Sequence, residues 1–282
     1  MVKPQKSHIP KTNLTTVAKE LKLRGLMREM KSVLVAYSGG VDSAYLALIA
    51  KQELGDKAVS ILGVSPSVSQ VQQTEAKDIA GKFGLNFQII QTDEMEDPNY
   101  RANPTNRCYF CKTELYGKLS VFAKAQGIKH ILDGTNADDV GDYRPGRTAA
   151  LEKSVRSPLV EIGLTKTEIR ELSKKQALPT WDKPASPCLS SRIAYGIPVT
   201  IERLSKVERG EGILRKLGFN EFRVRIHENL VRLEIAPGEL ERALNIETAE
   251  QLANDFSALG FRYVTLDLKG FRSGAMNEVL RK

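Results

Sequence analysis

A glycine-rich loop near the amino terminus combines hydroxyl, glycine and carboxylate residues in consecutive positions. The loop consists of Ser38, Gly39, Gly40, Val41, Asp42 and Ser43, and it follows the apolar run 33–37. Adjacent glycines let the backbone approach an anion closely, and the free amides that open the following helix favour negative charge. The loop therefore predicts a binding site for the phosphates of ATP. It has no lysine of the Walker type, so it is not a P-loop kinase motif.

Three cysteines form the second group of residues with chemical potential. Cys108 and Cys111 make a C-x-x-C pair, and Cys188 lies far from them in sequence, in a segment that contains several prolines. An odd number of cysteines argues against a disulfide framework. Three thiolates would leave one iron of a 4Fe-4S cluster open, because such clusters usually take four cysteine ligands. Zinc and uncoordinated reactive thiols are the alternatives. The histidines that could complete a zinc site are His8, His130 and His227.

Strand-like and helical segments alternate through the first part of the chain and must position these residues. Apolar runs predict strands at 33–37, 59–64, 87–90 and 130–132, separated by helices at 44–53, 69–83 and 111–126. This alternation indicates a parallel sheet covered by helices on both faces. Ligands of such sheets bind beyond the carboxyl ends of the strands, where Ser65 and Gly134 also fall. We therefore expect both residues to contact the nucleotide.

The alternation of strands and helices stops at a segment around Cys188 that contains Pro184, Pro187 and Pro198. The later part predicts a helix at 201–217, strands at 222–226, 230–235 and 263–268, and a short helix capped by Thr248. These elements indicate a smaller α+β domain. We assign residues 1–190 to the ATP domain and residues 191–282 to this carboxyl-terminal domain.

The composition is that of a globular protein with excess positive charge. Hydrophobic residues make up 41% of the 282 residues, and the formal net charge is +8. No segment approaches the run of about 20 apolar residues that crosses a bilayer. The first residues lack the apolar core of a signal peptide, so a cytoplasmic enzyme is expected. The positive charge favours an anionic ligand such as a nucleotide, RNA or another phosphorylated small molecule.

Four blocks of sequence together resemble the LarE family of ATP-dependent sulfur transferases. They are the loop 38–43, residues 139–146, residues 185–192 (here the Cys188 segment), and the pair 222–227 and 261–274. The loop by itself resembles the PP-loop of the N-type ATP pyrophosphatases, which have an adenine nucleotide alpha hydrolase-like fold. The resemblance implies an enzyme of nickel-pincer nucleotide cofactor biosynthesis. In that family, ATP adenylylates the carboxylates of pyridinium-3,5-biscarboxylic acid mononucleotide, and sulfur displaces AMP to give thiocarboxylates.

The same resemblance implies a site for the substrate phosphate. Arg223 and Arg225 are two residues apart on a predicted strand, so they project from one face. The guanidinium of arginine can donate two parallel hydrogen bonds to a phosphate. The family match adds Ser191 and Arg192 to this site, and Glu211 as a weaker candidate. Mg²⁺ would neutralise the departing pyrophosphate. Its candidate ligands are Asp138, Asp139 and Asp142, and a role in polar loop structure is the equal alternative.

The sulfur source is the point at which this chain departs from part of the family. Some members destroy one cysteine of the Cys188 segment, which becomes dehydroalanine; Pro187 stands at that position here, and Cys188 is the next residue. Other members have three cysteines that hold a 4Fe-4S cluster, whose free iron binds the extra sulfide. The presence of Cys108 and Cys111 favours the cluster route. Sacrificial use of Cys188 remains the alternative.

Two other functions fit parts of the sequence. A tRNA-thiolating enzyme of the same superfamily would also join a PP-loop to cysteines, but no RNA-binding module or arginine-rich arm is evident, so we expect no nucleic-acid partner. A non-catalytic nucleotide or metal sensor would not need the complete 38–43 loop. By resemblance, the protein is expected to be a homo-oligomer, specifically a hexamer.

Overall fold

The structure is a computed structural model that describes residues 14–141, 144–272 and 274–276. His8 and Asp142, which the sequence offers as metal ligands, lie outside these described residues. The helices and strands, in chain order, are α1 (Thr16–Met30), β1 (Val33–Ala36), α2 (Val41–Leu54), β2 (Ala58–Val64), α3 (Gln70–Lys82), β3 (Asn86–Gln91), α4 (Pro98–Arg101), α5 (Arg107–Ala125), β4 (His130–Leu132), α6 (Pro145–Glu152), α7 (Pro158–Ile162), α8 (Lys166–Lys175), α9 (Ile201–Lys216), β5 (Phe222–His227), β6 (Leu230–Ile235), α10 (Leu240–Leu244), α11 (Ile246–Ala258) and β7 (Tyr263–Leu266).

The first sheet is parallel, with the strand order β3-β2-β1-β4. Successive residues of β1 face opposite sides, as the strand period requires. Val33 and Val35 pack into an apolar cluster with α1, α2, α3 and α8, whereas Leu34 packs into a second cluster with α5 and α6. The predicted parallel sheet with helices on both faces is therefore confirmed. All its strands end at one edge, where the glycine-rich loop lies.

Two helices begin earlier than the sequence predicts, and both differences concern the site. Helix α2 begins at Val41 because Gly40 takes the N-cap position, and the loop passes directly into the helix. Helix α5 begins at Arg107, shortly after Pro104, so Cys108 and Cys111 both lie in its first turns. No proline or glycine interrupts the chain between Pro104 and Cys111, and the helix forms as soon as the backbone can turn.

The second sheet has the order β5-β6-β7, with β5 and β6 antiparallel and β6 and β7 parallel. Phe222, Val224 and Ile226 turn into an apolar core with α9 and α11, which confirms the smaller α+β unit. Leu189 and Ile193 pack into the same core, so it includes residues on both sides of position 190. The division between residues 190 and 191 stays a prediction.

One predicted helix cap is wrong. The helix expected to start at Thr248 begins at Ile246, and the Asn245 side chain accepts the capping hydrogen bond from Glu247 N. Asparagine at this position captures a free amide before the chain reaches Thr248. No helix in the described ranges is long and apolar enough to cross a membrane.

Candidate active site

A cavity of about 560 Å³ opens at the carboxyl ends of β1 and β4 and reaches the second sheet. One end is lined by the loop residues Ser38, Gly40, Asp42 and Ser43 together with Gly134. The other walls come from the start of α5, the Cys188 segment and β5. Their residues include Arg107, Cys108, Lys112, Pro187, Ser191 and Arg225. The structure thus places the ATP loop, a cysteine and a candidate phosphate-binding arginine around one space.

The glycine-rich loop is held in shape by its own hydroxyls and by close packing. Ser43 Oγ accepts a hydrogen bond from Ser38 N at 3.1 Å and donates one to Gly40 O at 3.2 Å. Gly39 has φ +75°, and a Cβ there would lie 2.8 Å from Ala76 Cβ. Only glycine meets both conditions without strain. The loop is therefore preformed at the N-terminus of α2, where backbone amides attract phosphate.

Gly134 closes the opposite wall of this phosphate pocket. A Cβ at this position would lie 2.9 Å from Ser43 N and 3.1 Å from Ser43 Cα, which is backbone that cannot swing aside. The turn after β4 therefore presses directly on the start of α2. This contact explains the need for glycine at the position that the sequence predicts to contact the nucleotide.

Gly134→Ala is expected to displace the start of α2 and to weaken ATP binding by about tenfold or more, since a clash of this kind costs about 1–3 kcal/mol. Isothermal titration with a non-hydrolysable ATP analogue would measure the loss. Gly81→Ala, at a glycine of α3 that has open space around its Cβ position and no positive φ, is the control for a glycine change elsewhere. ATP affinity unchanged in Gly134→Ala would contradict the assigned packing role.

Asp42 is the carboxylate of the loop that is best placed for a cation. Its Oδ2 lies 2.5 Å from Lys166 Nζ, whereas its Oδ1 is buried and has no well-aligned hydrogen-bond donor among the described residues. Burial raises the pKa of Asp42, although Lys166 acts in the opposite direction. A buried carboxylate oxygen without a partner is costly unless a ligand satisfies it. Oxygen atoms of this kind are the ligands that Mg²⁺ prefers.

Asp42 was not among the predicted magnesium ligands, and the two of these that lie in the described residues, Asp138 and Asp139, differ in their surroundings. Asp139 lines the cavity, and its Oδ1 lies 2.7 Å from Arg144. Asp138 instead points to helix α8, where its Oδ2 accepts a hydrogen bond from Lys166 N at 2.8 Å. Asp42 and Asp139 thus line the cavity, although both oxygens of Asp139 already have partners, since Oδ2 accepts a hydrogen bond from Asn136 N. The binding of Mg²⁺ by Asp138 or Asp139 stays a prediction.

Lys112 and Asp133 are site residues that the sequence did not single out. Asp133 accepts hydrogen bonds from Thr135 N, Tyr116 Oη and Ser157 Oγ, and it lines the cavity. Lys112 lines it too, with Nζ 5.3 Å from the centroid of the Tyr116 ring. Asp133 could have been found, because it directly follows β4 at the ligand-binding edge of the sheet. Lys112 gave no such signal beyond its place next to Cys111.

The three cysteines, called the sulfur site below, lie on two segments that contact each other, because Arg107, next to Cys108, donates a hydrogen bond to the carbonyl of Ser190, two residues after Cys188. Cys108 is exposed, whereas Cys111 and Cys188 are partly buried. Although the residue as a whole is exposed, loss of solvation around its sulfur, followed by the charge of Cys188, raises the pKa of the Cys108 thiol. Burial, Glu94 and Cys188 raise the pKa of Cys111. The fold therefore brings the C-x-x-C pair to the distant Cys188.

No group of three or more histidine, cysteine, aspartate or glutamate side chains within the described ranges is arranged to bind a single metal ion. In the part of the chain that the structure describes, neither a zinc site nor a cluster site is therefore shown, and both stay predictions. His130 begins β4 and pairs with Val33 at the start of β1, so it lies at the edge of the sheet opposite the loop. His227 ends β5 and has an unpartnered, buried Nε2 among the described residues.

Arg192 anchors the Cys188 segment from inside. It is 2% exposed, and its guanidinium forms an ion pair with Glu211 at 2.7 Å (Nε to Oε1). Its Nη1 donates to Pro187 O at 2.5 Å, to Cys188 O at 3.1 Å and to Ser191 Oγ at 2.9 Å. These bonds occupy Arg192 and Glu211 in positioning Cys188. The predicted contact of these two residues with the substrate phosphate stays a prediction.

Arg223 and Arg225 share a positive environment near the Cys188 segment. Arg225 pairs with the buried Glu234 at 2.9 Å and donates to Ser191 O at 2.9 Å, and its Nε has no acceptor among the described residues. Arg223 lies over the Phe271 ring, with Cζ 4.7 Å from the centroid, and donates to Ala185 O. Burial and Arg192 lower the pKa of Arg223 to about 10, which indicates positive charge that an anion would relieve.

The structure places the Ser65 hydroxyl in a buried polar cluster, and its predicted contact with the nucleotide stays a prediction. Its Oγ lies 2.5 Å from Glu94 Oε1 and 2.8 Å from Ser67 Oγ, in a buried polar cluster. Ser65 is not among the described residues that line the cavity. The strand-end rule places it at the correct edge of the sheet, but the buried Glu94 side chain, 29 residues further along the chain, binds its hydroxyl.

The fold, the loop and the cavity define a PP-loop enzyme that uses ATP. The NAD synthase family matches residues 15–106, which contain the loop. An uncharacterized protein of Synechocystis is 47% identical over 260 residues, 92% of this chain and 97% of its own length. Pyridinium-3,5-bisthiocarboxylic acid mononucleotide synthase of Lactiplantibacillus plantarum is 35% identical over 269 residues, 95% of this chain and 97% of that protein. The chain belongs to the family of this synthase, the LarE family, and the resemblance in the sequence is confirmed.

More distant similarity extends to GMP synthases. The glutamine-hydrolyzing GMP synthase of Aeropyrum pernix is 28% identical over 208 residues, which cover 64% of this chain and 38% of that protein. The PP-loop region is thus common to several enzymes, whereas likeness over nearly the full chain extends to the LarE-type synthase.

Proposed function

We propose that this enzyme adenylylates the carboxylates of pyridinium-3,5-biscarboxylic acid mononucleotide and replaces an oxygen of each with sulfur, as a step of nickel-pincer nucleotide cofactor biosynthesis. The observation that carries the proposal is the shared cavity, in which the ATP loop faces Cys108, Ser191 and Arg225. The name of the similar L. plantarum synthase supports the choice of product.

The chemistry needs two balanced steps. The substrate carboxylate attacks the α-phosphorus of ATP, which gives an acyl adenylate and pyrophosphate. Hydrosulfide then attacks the acyl carbon, AMP leaves with the carboxyl oxygen, and the proton of the sulfur passes to solvent. A carboxylate oxygen is a poor leaving group and AMP is a good one, so the first step makes the second possible.

ATP and Mg²⁺ fit the loop end of the cavity. The amides at the start of α2 would bind the phosphates, while the unpartnered Oδ1 of Asp42 and the nearby Asp139 would bind the cation. Bound Mg²⁺ supplies charge neutralisation for the departing pyrophosphate. Lys166 holds Asp42 in place through its contact with Oδ2. Lys112 adds positive charge at the wall between the loop and the sulfur site.

A 4Fe-4S cluster fits the sulfur site by donor type and by neighbourhood. Cys108, Cys111 and Cys188 would hold it, and the fourth iron would bind the sulfide to be transferred. A cluster spans more space than one metal ion, so its ligands need not converge on a single point. The contact between the start of α5 and the Cys188 segment, through Arg107 and the Ser190 carbonyl, supports this arrangement. Sacrificial sulfur donation by Cys188 remains the alternative route.

Arg223→Gln tests the substrate phosphate site. We expect the KM for the mononucleotide to rise about tenfold to a hundredfold with a smaller change in kcat, because a charge-assisted hydrogen bond contributes about 1.5–3 kcal/mol. Steady-state assays with varied mononucleotide and saturating ATP would measure it. Arg203→Gln, at a half-buried arginine that donates to Pro198 O and is not among the described residues lining the cavity, is the matched control. An unchanged KM in Arg223→Gln would contradict the assignment.

Reconstitution tests the proposed function as a whole. ATP, Mg²⁺, sulfide and the dicarboxylate mononucleotide should give pyrophosphate, AMP and the dithiocarboxylate, detected by mass spectrometry. We expect no salt-dependent retention on tRNA, whereas an RNA-thiolating enzyme would be retained. We also propose a homo-oligomer of the hexameric kind, which light scattering would measure.

A further inference from the structure

Arg107 is a buried cation without a carboxylate partner. Its side chain lines the cavity, yet the residue is only 4% exposed. Among the described residues, no aspartate or glutamate lies within ion-pair distance of it. Its hydrogen-bond acceptors are neutral: Nη1 donates to Asn103 Oδ1 and, at 2.9 Å, to Ser190 O. The other buried arginines of the site differ, since Arg192 pairs with Glu211 and Arg225 pairs with Glu234.

The position of Arg107 joins the two parts of the sulfur site. It is the first residue of α5, directly before Cys108, and it binds the carbonyl of Ser190 in the Cys188 segment. Asn103 strengthens the same junction, because its Nδ2 donates to Ala194 O and Ile197 O at 2.8 Å each. The guanidinium is thus fixed between the cysteines and cannot turn to solvent.

A buried charge without a counter-charge is unfavourable, and proteins normally pair it. The two segments that Arg107 joins both carry sulfur: Arg107 and Cys108 line the same cavity, and the Ser190 carbonyl that Arg107 binds lies two residues after Cys188. The phosphates of the ligands have other partners available, namely the loop amides for ATP and Arg223 with Arg225 for the mononucleotide.

We propose that Arg107 binds the sulfur to be transferred in its anionic form, beside Cys108 and Cys188. The ligand is a singly charged sulfur anion, either sulfide on an iron or a persulfide on a cysteine. This proposal rests on the proposed sulfur transfer and adds the residue that attracts and retains the donor. Arg107 is a binding residue for the sulfur donor, and through Ser190 it also positions the Cys188 segment.

The charge at the site is measured by comparing two alkylating reagents on iron-free protein. Iodoacetate is negative and iodoacetamide is neutral, and both react with the same thiolate. The rate with iodoacetate divided by the rate with iodoacetamide at one cysteine therefore reports the local charge. The fraction of thiol that is ionised affects both rates equally and cancels from this ratio. Peptide mass spectrometry gives the ratio separately for Cys108, Cys111 and Cys188. In the unaltered protein the ratio should be higher at Cys108 than at Cys111, which faces Glu94.

Arg107→Gln should lower the ratio at Cys108 and Cys188 roughly tenfold, because a full charge a few ångströms away is removed. Arg107→Lys keeps the charge and should stay within about twofold of the unaltered protein. Arg156→Gln, which removes a surface cation paired with Glu161, should change nothing. Equal ratios at Cys108 and Cys111 in the unaltered protein, or an unchanged ratio in Arg107→Gln, would overturn the proposal.

Sulfur retention identifies the source of the anion. Sulfide is added to iron-reconstituted protein, and polysulfide to iron-free protein; acid releases iron-bound sulfide, and dithiothreitol releases a persulfide. Under the loading condition in which the unaltered protein retains sulfur, Arg107→Gln should retain much less sulfur than the unaltered protein. Arg107→Lys should retain nearly as much as the unaltered protein. Equal retention by Arg107→Gln would overturn the proposal.

The two proposals can fail separately. Thiocarboxylate formation by a protein with the expected alkylation ratios supports both proposals, whereas the expected ratios without any sulfur transfer would refute the proposed function alone.

Discussion

Asp42→Asn is expected to lower ATP–pyrophosphate exchange by about a hundredfold to a thousandfold, the order of the loss when one preorganised group that stabilises transition-state charge is removed from an enzyme. The asparagine keeps the size of the side chain but removes the charge that pairs with Lys166 and would bind Mg²⁺ through the unpartnered Oδ1. Exchange of labelled pyrophosphate into ATP, in the presence of the mononucleotide and without sulfide, measures the adenylylation step by itself.

Asp138→Asn is the matched control for this experiment. Asp138 is also a carboxylate near Lys166, but it binds the backbone amide of α8 and is not part of the described cavity lining. Its exchange rate should remain within a few-fold of the unaltered enzyme. Comparable exchange by Asp42→Asn and the unaltered enzyme at all Mg²⁺ concentrations would contradict the placement of the cation.

Cys188→Ala is expected to reduce thiocarboxylate formation at least a hundredfold while ATP–pyrophosphate exchange continues. The cysteine lies at the sulfur site and not among the loop residues, so its loss should separate the two half-reactions. Its removal abolishes the cluster route by taking away one ligand, and it abolishes the sacrificial route by taking away the sulfur. Product should be measured by mass spectrometry under anaerobic conditions.

Cys108→Ala distinguishes these two routes. With a cluster, this variant should lose bound iron and catalytic turnover together. With sacrificial donation, it should retain a single turnover, and Cys188 should become dehydroalanine. Thiocarboxylate formation by Cys188→Ala at the normal rate would contradict both routes. Loss of ATP–pyrophosphate exchange in Cys188→Ala would show that the two half-reactions are not separable.

The sequence predicted those parts of the site that depend on local pattern. The loop at 38–43 is recognisable because strand, glycines and helix follow one another directly, and Gly134 is placed by the end of β4. The alternation in β5 likewise predicts that Arg223 and Arg225 share a face, opposite the buried Phe222 and Val224.

Contacts between distant parts of the chain could not be predicted from local pattern. Lys166 meets Asp42 across 124 positions, and Arg107 meets the Ser190 carbonyl across 83. The Ser65 assignment illustrates the same limit, because the side chain that binds its hydroxyl comes from the end of another strand. The packing of whole helices and strands determines which polar groups form hydrogen bonds with one another. The sequence shows only which polar groups are available for such bonds.

The start of α5 had the largest consequence for the site. A helix beginning at Cys111 would leave Cys108 and Arg107 in a loop, with no fixed relation to the Cys188 segment. Because α5 begins at Arg107, both cysteines and the guanidinium are held on one rigid element. The connection between the cysteine pair and Cys188 therefore depends on a helix boundary, which is the feature of secondary structure that sequence patterns define least well.

The central claim, that ATP activates a substrate carboxylate before sulfur replaces its oxygen, is tested most directly with a mononucleotide whose carboxylates carry heavy oxygen. We predict that each thiocarboxylate formed is accompanied by one AMP that contains one heavy oxygen atom in its phosphate, since the acyl adenylate breaks between carbon and oxygen. Mass spectrometry of the AMP after reaction with ATP, Mg²⁺ and sulfide gives this result. AMP without the label, with thiocarboxylate formed at the normal rate, would contradict the account.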